Sequence, residues 1–176
     1  MIKNAVILII QARMNSSRFP NKVISDICGT SLIERIFQRV KRVKGIEKII
    51  LATTKRKDDD ILIKIANSNE IEIFRGSEDD VVDRYYQAAK IKNAQHILRL
   101  PADNPIPEPS EYERIIQYHL NSKNDFSSNI QNFMGNGYPN GIGVEIFTIK
   151  SLEKIWKEEK RKKYREHVSL NYYDYD

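Results

Sequence analysis

Residues 7–22 read ILIIQARMNSSRFPNK, and this stretch decides how the rest of the chain is interpreted. An apolar run over residues 5–10 stops abruptly at Gln11, which predicts a buried β-strand that ends there. The loop that follows carries three fixed cations and two hydroxyls within ten residues: Arg13, Ser16, Ser17, Arg18 and Lys22. Such donors bind phosphate oxygens, and Pro20 stiffens the loop. The stretch therefore predicts an anion site at a strand end, and a polyphosphate fits it best.

The length and composition are typical of one soluble domain. With 176 residues, the chain is long enough to bury a sizeable core. No run of the sequence has the length and apolarity of a transmembrane helix or the pattern of a signal peptide. The single cysteine, Cys28, excludes an intrachain disulfide and a multi-cysteine zinc site. We therefore expect a cytoplasmic protein with no membrane partner.

The net charge of +5 is concentrated in one segment. Residues 150–165 contain eight Lys/Arg and three Glu, which leaves 21 of the 29 cations against 21 of the 24 anions elsewhere. A basic helix with Trp156 and Tyr164 is more typical of a solvated face than of a nucleic-acid surface. We therefore expect no nucleic-acid partner.

Segments rich in Val and Ile alternate with segments of helical periodicity, which predicts a three-layer αβα fold with a mainly parallel sheet. The predicted strands cover residues 5–11, 48–53, 72–74 and 95–100, and two more lie in FSSNIQNF and GIGVEIF. The predicted helices cover residues 31–44, 58–68, 79–92, 110–120 and 151–163. Ser31 and Glu34 form a capping-box pattern at the first helix. We expect a single domain over residues 1–176, with a flap or lid at about residues 125–145.

Two patterns bear on how a phosphate or a metal could be held. The sequence contains neither GxGxxG nor GxxxxGK[ST], which excludes the usual dinucleotide fingerprint and a P-loop. Asp58, Asp59 and Asp60 resemble a metal cluster, but acidic residues also favour the start of a helix. We interpret these three residues as helix-start residues, so phosphate binding falls to the basic loop.

Asp103 is the second candidate site residue. It follows the fourth predicted strand, in the turn PADNP at residues 101–105. The carboxyl ends of parallel strands meet at one edge of a sheet, so Asp103 is expected beside the basic loop. Mg²⁺ keeps several waters and takes one or two carboxylates together with phosphate oxygens. The pattern therefore predicts a nucleotide site with Mg²⁺ as cofactor and Asp103 as its ligand.

Five ordered blocks of sequence carry a resemblance to a known family. They are IIQARMNSSRFPNKVISDICGTSLIERI, IFRGSEDDVVDRYYQAA, RLPADNPIPEP, NGIGVEIF and REHV. The first block resembles the pattern ARxxSxRxPxK that opens the cytidylyltransferases, which include the CMP-KDO and CMP-sialate synthetases. Together the blocks are most similar to the spore-coat-polysaccharide (SpsF-like) branch. The resemblance implies a nucleotide-diphospho-sugar transferase-like fold, CTP and Mg²⁺ as ligands, a sugar-type acceptor and a homodimer.

The resemblance also implies roles for individual residues. Arg13, Lys22 and Asp103 would be catalytic, and Asp103 would bind the metal. The implied nucleotide-binding residues are Gln11, Ala12, Arg13, Ser16, Ser17, Arg18, Lys22, Ala52, Thr53, Asp83 and Arg84. The implied acceptor-binding residues are Asn104, Glu145 and His167. His96 and His119 show no pattern that predicts catalysis.

Two departures from the family pattern concern the acceptor side. Many relatives read GxDVE where this chain has Gly141, Ile142, Gly143, Val144 and Glu145, so a carboxylate expected at position 143 is absent. Relatives also continue past REHV with further secondary structure, whereas this sequence stops eight residues later. The second departure predicts that the sequence is truncated and that a second metal carboxylate or a dimer-forming segment lies outside it.

The sequence therefore predicts a cytidylyltransferase that transfers CMP from CTP to a sugar or sugar-acid acceptor with release of pyrophosphate. Such an activity would serve surface polysaccharide or glycoconjugate biosynthesis. Two alternatives remain open at this point. One is a nucleotidyltransferase of other base or acceptor specificity, or a glycosyltransferase. The other is a catalytically incomplete nucleotide-binding module.

Overall fold

A computed structural model describes residues 5–15, 19–130, 139 and 141–173. The strands are β1 Val6–Gln11, β2 Lys48–Thr54, β3 Glu72–Gly76, β4 His96–Pro101, β5 Phe126–Ser128 and β6 Glu145–Thr148. The helices are α1 Leu32–Val40, α2 Asp60–Ser68, α3 Val81–Ile91, α4 Pro109–Ser122, α5 Ile149–Glu158, α6 Lys162–Glu166 and α7 Leu170–Tyr173. The strands form one sheet in the order β3-β2-β1-β4-β6-β5. β1 to β4 are parallel, whereas β6 runs antiparallel to β4 and β5. The predicted α/β architecture with a mainly parallel sheet is confirmed.

Strand β1 is buried on both faces because helices cover both sides of the sheet. Leu8 and Ile10 point into a core formed with α1, α2 and α4. Ile7 and Ile9 point into a second core formed with α3, α5 and α7. All four side chains are 0% exposed, which explains the unbroken apolar run in this strand.

The strand order places β1 between β2 and β4, so the chain reverses its direction of winding at β1. At such a switch point the loops after the two neighbouring strands diverge to opposite sides of the sheet and leave a crevice between them. Gln11 at the end of β1 lies opposite Pro101 at the end of β4. The loops that carry Arg13 and Asp103 therefore begin at adjacent strand ends, one on each side of this crevice.

The first helix has the predicted start and an earlier end. The Ser31 hydroxyl accepts from the Glu34 amide while the Glu34 carboxylate accepts from the Ser31 amide, so the capping box is confirmed. The helix ends at Val40 instead of residue 44. Lys41 to Lys44 form a turn that leads to Gly45, whose φ of 85° favours glycine.

The C-terminal third departs most from the sequence prediction. Both later strands belong to the main sheet, and the first covers only Phe126–Ser128. Of the flap or lid predicted at about residues 125–145, residues 131–138 and 140 lie outside the described residues. The single helix predicted over residues 151–163 is wrong, because the chain turns extended at Glu159. There the Glu159 carboxylate accepts from the Arg161 amide and guanidinium, and Arg165 donates to the Trp156 and Glu159 carbonyls. These side chains satisfy the end of α5 and separate it from α6.

A pair of histidines, of which His119 is buried and His96 is half-buried, joins β4 to α4 and predicts acid sensitivity. His96 Nδ1 lies 3.0 Å from His119 Nε2, and His119 Nδ1 lies 3.1 Å from the Ser127 hydroxyl. Burial and the neighbouring His96 lower the pKa of His119 to about 4, although Asp125 opposes the shift. Burial also lowers the pKa of His96.

Below the ordinary histidine pKa, the unfolded chain binds a proton that the folded chain excludes, so stability falls as the pH decreases. Between about pH 7 and about pH 4.5, His119 should contribute a loss of about 2 to 3 kcal/mol in the free energy of unfolding. Urea unfolding at both pH values measures this loss. His119→Gln should flatten the dependence, and an unchanged slope would contradict the assignment.

Candidate active site

The site lies at the switch point of the sheet, where β1 and β4 end side by side. The Ala102 amide donates to the Gln11 carbonyl at 2.9 Å, and the Ala12 amide donates to the Ala52 carbonyl at 3.3 Å. These bonds extend the parallel ladders one residue beyond each strand. Arg13 and Asp103 are consequently the first residues free to diverge from the sheet. The sequence prediction that these two residues lie close together is consistent with this arrangement.

A cleft of about 250 Å³ opens between the two loops. Its lining residues include Gln11, Ala12, Arg13, Lys22, Val23, Pro101, Ala102, Asp103, Glu166 and His167. The predicted catalytic residues Arg13, Lys22 and Asp103 therefore share one cavity, together with His167 from the end of α6. Glu166 was not predicted, although it belongs to the REHV block that signals this segment.

Lys22 and Asp103 meet across the cleft although they are 81 residues apart in the chain. The Lys22 ammonium donates to the Asp103 carboxylate at 2.8 Å. The Asp103 side chain is 49% exposed and that of Lys22 is 25% exposed. An ion pair this accessible to water contributes at most about 1 kcal/mol to stability, so the fold does not depend on it.

Asp59 anchors the start of the basic loop, a role that sequence reasoning missed. Its side chain is buried, and its carboxylate accepts from the Met14 amide at 2.8 Å, from the Thr53 hydroxyl at 3.0 Å and from the amide and hydroxyl of Thr54. Burial raises the pKa of Asp59, but the hydrogen bonds from Met14, Thr54 and Thr53 outweigh it and hold the pKa below its ordinary value. The helix-start interpretation of Asp58 to Asp60 is confirmed, because Asp58 and Asp59 lie in a 3-10 turn that leads into α2 and Asp60 is the first residue of α2.

Comparison with known proteins identifies the family. The family model described as "Cytidylyltransferase" matches residues 7–176. The chain belongs to the cytidylyltransferase family. The predicted enzyme class, a CTP-dependent nucleotidyltransferase, is thereby confirmed.

Two relatives match this cytidylyltransferase over almost its whole length. An uncharacterized protein of Methanocaldococcus jannaschii is 36% identical over 169 residues, which is 96% of this chain and 67% of the relative. The spore coat polysaccharide biosynthesis protein SpsF of Bacillus subtilis is 29% identical over 174 residues, which is 95% of this chain and 69% of the relative. The SpsF-like resemblance seen in the sequence is confirmed.

Two solved structures share the fold. A cytidylyltransferase from Leptospira borgpetersenii superposes with a TM-score of 0.90 at 30% identity, covering 96% of this chain and 71% of that chain. A CMP:2-keto-3-deoxy-manno-octonic acid synthetase complexed with CTP superposes with a TM-score of 0.72 at 15% identity, covering 95% of this chain and 84% of that chain. The second likeness concerns the fold alone.

Three of the residues predicted to bind the nucleotide, Ala52, Thr53 and Arg84, are buried. Ala52 and Thr53 are 0% exposed at the end of β2, and the Thr53 hydroxyl is bound to Asp59. Arg84 is 1% exposed and donates to the Ser77 carbonyl at 2.7 Å, while its Nε has no protein partner among the described residues. Burial lowers the pKa of Arg84, as does the neighbouring charge of Arg13. An unpartnered buried guanidinium nitrogen is available to a ligand or a water.

The Asp83 side chain is hydrogen-bonded within the protein. Its carboxylate accepts from the Trp156 indole at 2.8 Å and from the Gln87 amide at 3.1 Å. The contact with Trp156 ties α3 to α5, whereas Gln87 lies on α3 itself. The nucleotide-binding role of Asp83 stays a prediction. Its hydrogen bonds with Trp156 and Gln87 explain the placement of its carboxylate in the structure.

Among the predicted acceptor residues, Glu145 is the most deeply buried. Its carboxylate lies 2.6 Å from Arg99 on the neighbouring strand, and its side chain is 3% exposed. His167 is exposed at the cleft. Asn104 is half-buried in a turn, and its backbone amide donates to the Pro101 carbonyl. His167 and Asn104 are therefore accessible to an acceptor, whereas Glu145 is occupied by Arg99.

Removing one partner of this buried ion pair should be costly. We expect Glu145→Gln to lower the free energy of unfolding by about 3 to 5 kcal/mol, because Arg99 would keep an uncompensated buried charge. Urea denaturation measures the loss. The double variant Arg99→Met with Glu145→Leu should recover much of it, and a loss of less than about 1 kcal/mol for Glu145→Gln would contradict this interpretation.

Position 143 has no room for the carboxylate that the family pattern leads one to expect. A Cβ atom at Gly143 would lie 2.8 Å from the Ile130 side chain and 3.2 Å from the Asn129 carbonyl oxygen. Asn129 and Val144 are joined by two hydrogen bonds, so the approach is fixed. In the described structure this glycine serves the close packing of β6 against the end of β5.

Three predicted nucleotide-binding residues, Ser16, Ser17 and Arg18, lie outside the described residues. Within the described ranges, no group of three or more His, Cys, Asp or Glu side chains is arranged to hold a metal ion. No helix in the same ranges is long and apolar enough to cross a membrane.

Proposed function

We propose that this cytidylyltransferase transfers CMP from CTP to a sugar or sugar-acid acceptor and releases pyrophosphate, as a step in the synthesis of a surface polysaccharide or glycoconjugate. One observation carries the proposal: Arg13, Lys22 and Asp103 line a single cleft at the switch point of the sheet. The names of SpsF and of the CMP-sugar-acid synthetase complexed with CTP support the choice of nucleotide and acceptor class.

Arg13 and Lys22 would bind the triphosphate. Both side chains reach the cleft from the loop after β1. Charge-assisted donors on opposite sides of a triphosphate hold it in one orientation and neutralise the charge that builds up on the departing pyrophosphate. Ser16, Ser17 and Arg18 belong to the same loop in the sequence, and we include them in this proposed role.

The proposed reaction joins the acceptor to the α-phosphate of CTP. An acceptor hydroxyl oxygen attacks the α-phosphorus, the bond from that phosphorus to the bridging oxygen breaks, and the pyrophosphate leaves with the bonding electrons. The hydroxyl proton passes to solvent or to a group in the cleft. Chemistry of this kind depends mainly on positioning and charge neutralisation.

Asp103 is the residue suited to hold Mg²⁺. Its carboxylate is half-exposed in the cleft, within hydrogen-bonding distance of a lysine placed to meet phosphate. A single carboxylate fits Mg²⁺, which retains waters and takes its remaining ligands from phosphate oxygens. When bound, the ion would withdraw charge from the phosphate oxygens. Asn104 and His167 would contact the acceptor beside it.

The proposal has two further parts. A cytoplasmic location rests on the sequence composition, and assembly as a homodimer rests on the family resemblance. Light scattering coupled to size exclusion would measure the mass in solution, and a mass of one chain would refute the dimer.

Nucleotide selectivity tests the proposed function directly. At a CTP concentration about 100 times its Kd, binding stabilises the folded state by about 2.7 kcal/mol, which raises Tm by roughly 5 to 10 °C for a chain of this size. UTP, GTP and ATP at the same concentration with Mg²⁺ serve as controls. Equal shifts for all four nucleotides would refute the cytidine assignment, and no shift with any of them would refute the enzyme.

Acceptor class is tested by pyrophosphate release. CTP and Mg²⁺ are supplied with a panel of free sugars, sugar phosphates and sugar acids. Pyrophosphate release that depends on one of these classes is expected. Release that continues with no acceptor present would indicate hydrolysis instead of transfer.

A further inference from the structure

Asp59 is a buried carboxylate without a part in the proposed chemistry. It is 1% exposed and accepts at least four hydrogen bonds from three residues, Met14, Thr53 and Thr54. No ion pair to Asp59 occurs among the described residues, so the carboxylate is balanced by neutral donors. Burying a carboxylate costs free energy because it loses its hydration, and here the hydrogen bonds from Met14, Thr53 and Thr54 offset that cost.

The partners of Asp59 come from two parts of the site that are far apart in sequence. One carboxylate oxygen binds the Met14 amide, which belongs to the peptide bond between Arg13 and Met14. The other binds the end of β2 at Thr53 and Thr54. The Met14 carbonyl in turn accepts from the Asn21 amide at 3.1 Å, which closes the basic loop one residue before Lys22. Asp59 therefore fastens Met14 to the end of β2 directly, and the end of the loop at Asn21 is joined to the same point through Met14.

Asp59 also contributes charge to the same region. Its carboxylate favours the charged form of Arg84, whereas Arg13 disfavours it. Arg13 and Arg84 thus repel one another across the site before a polyanion arrives. The negative charge of Asp59 offsets part of the unfavourable effect of Arg13 on the charged form of Arg84.

We propose that Asp59 is a positioning residue for the nucleotide: it holds the Arg13–Met14 peptide against the end of β2 so that Arg13 is pre-oriented toward the triphosphate. This inference rests on the proposed function. Pre-orientation matters because a ligand that must first order a loop loses part of its binding energy to that ordering. Asp59→Asn should therefore weaken nucleotide binding without removing any group that touches the nucleotide.

The test compares Asp59→Asn with Leu62→Ala, a variant that is destabilised through the core on the neighbouring helix α2. Calorimetry with CTP and Mg²⁺, well below Tm, should show a Kd raised by about tenfold for Asp59→Asn and unchanged within about twofold for Leu62→Ala. Amide hydrogen exchange of Met14, measured relative to Ile9 in β1, should accelerate only in Asp59→Asn. Thr54→Val, which deletes one hydroxyl donor to Asp59, should give a smaller change in the same direction and serves if Asp59→Asn fails to fold.

The outcomes separate the two proposals. If the unaltered protein binds CTP and Asp59→Asn binds it equally well, the positioning role is refuted and the proposed function stands. Unchanged exchange at Met14 in Asp59→Asn would refute the anchor itself. If the unaltered protein fails to bind CTP, the proposed function falls, and the role of the anchor falls with it.

Discussion

Asp103→Asn should lower the rate of pyrophosphate release by at least about a hundredfold if Asp103 holds Mg²⁺ as proposed, because a neutral amide binds the ion far more weakly than a carboxylate and the charge on the phosphate oxygens would be less well neutralised. Folding should survive the change, since the Lys22–Asp103 pair is largely exposed and contributes little to stability. The rate is measured at saturating CTP and acceptor over a range of Mg²⁺ concentrations. Metal-free nucleotide binding should change only a few-fold.

Asp58→Asn is a matched control for this prediction. Asp58 is also an exposed aspartate in an ion pair, with Arg56, but it lies in the 3-10 turn before α2. Its replacement should leave the rate unchanged. If Asp103→Asn keeps a rate within about threefold of the unaltered enzyme, Asp103 is not the metal ligand.

Arg13→Ala should raise the Kd for CTP by about a hundredfold, which corresponds to the loss of one or two charge-assisted hydrogen bonds to phosphate. Arg13 is half-buried and lines the cleft where the triphosphate is proposed to bind. Calorimetric titration with CTP and Mg²⁺ measures the change, and circular dichroism checks that the variant is folded.

Arg42→Ala is the control for this second prediction. Arg42 is an exposed arginine in the turn after α1. The Arg42→Ala variant loses the same charge as Arg13→Ala but leaves the lining of the cleft intact, so CTP affinity should stay within about twofold at moderate salt. A Kd for Arg13→Ala that matches the Kd for Arg42→Ala would contradict the role of the basic loop.

The meeting of Lys22 with Asp103 was predictable from the sequence, because a rule of parallel sheets places the loops after neighbouring strands at one edge. The rule requires only that the strands be recognised, and their apolar runs made them recognisable. Asp59 was not predictable in the same way. Its sequence environment is that of any acidic helix start, and its role depends on the register that brings Met14 over the end of β2.

Glu145 and the C-terminal helices were likewise not predictable from sequence pattern alone. The burial of Glu145 follows from an antiparallel pairing with Arg99, and sequence pattern does not reveal which strand β6 joins. The end of α5 at Glu158 depends on side chains that bind backbone groups, as Arg165 does. Helical periodicity through the basic segment concealed that break. Distant pairings and local capping, more than composition, thus account for the errors.

The ion pair between Lys22 and Asp103 couples the binding of a cation to the binding of a phosphate. Before substrates arrive, Lys22 and Asp103 satisfy each other. A cation captured by Asp103 releases Lys22 for phosphate, and a phosphate captured by Lys22 releases Asp103 for the cation. Metal and nucleotide should therefore bind with positive cooperativity, and thermodynamic reciprocity requires each to strengthen the other by the same factor. Because the pair itself is weak, its share of that factor should be no more than about fivefold.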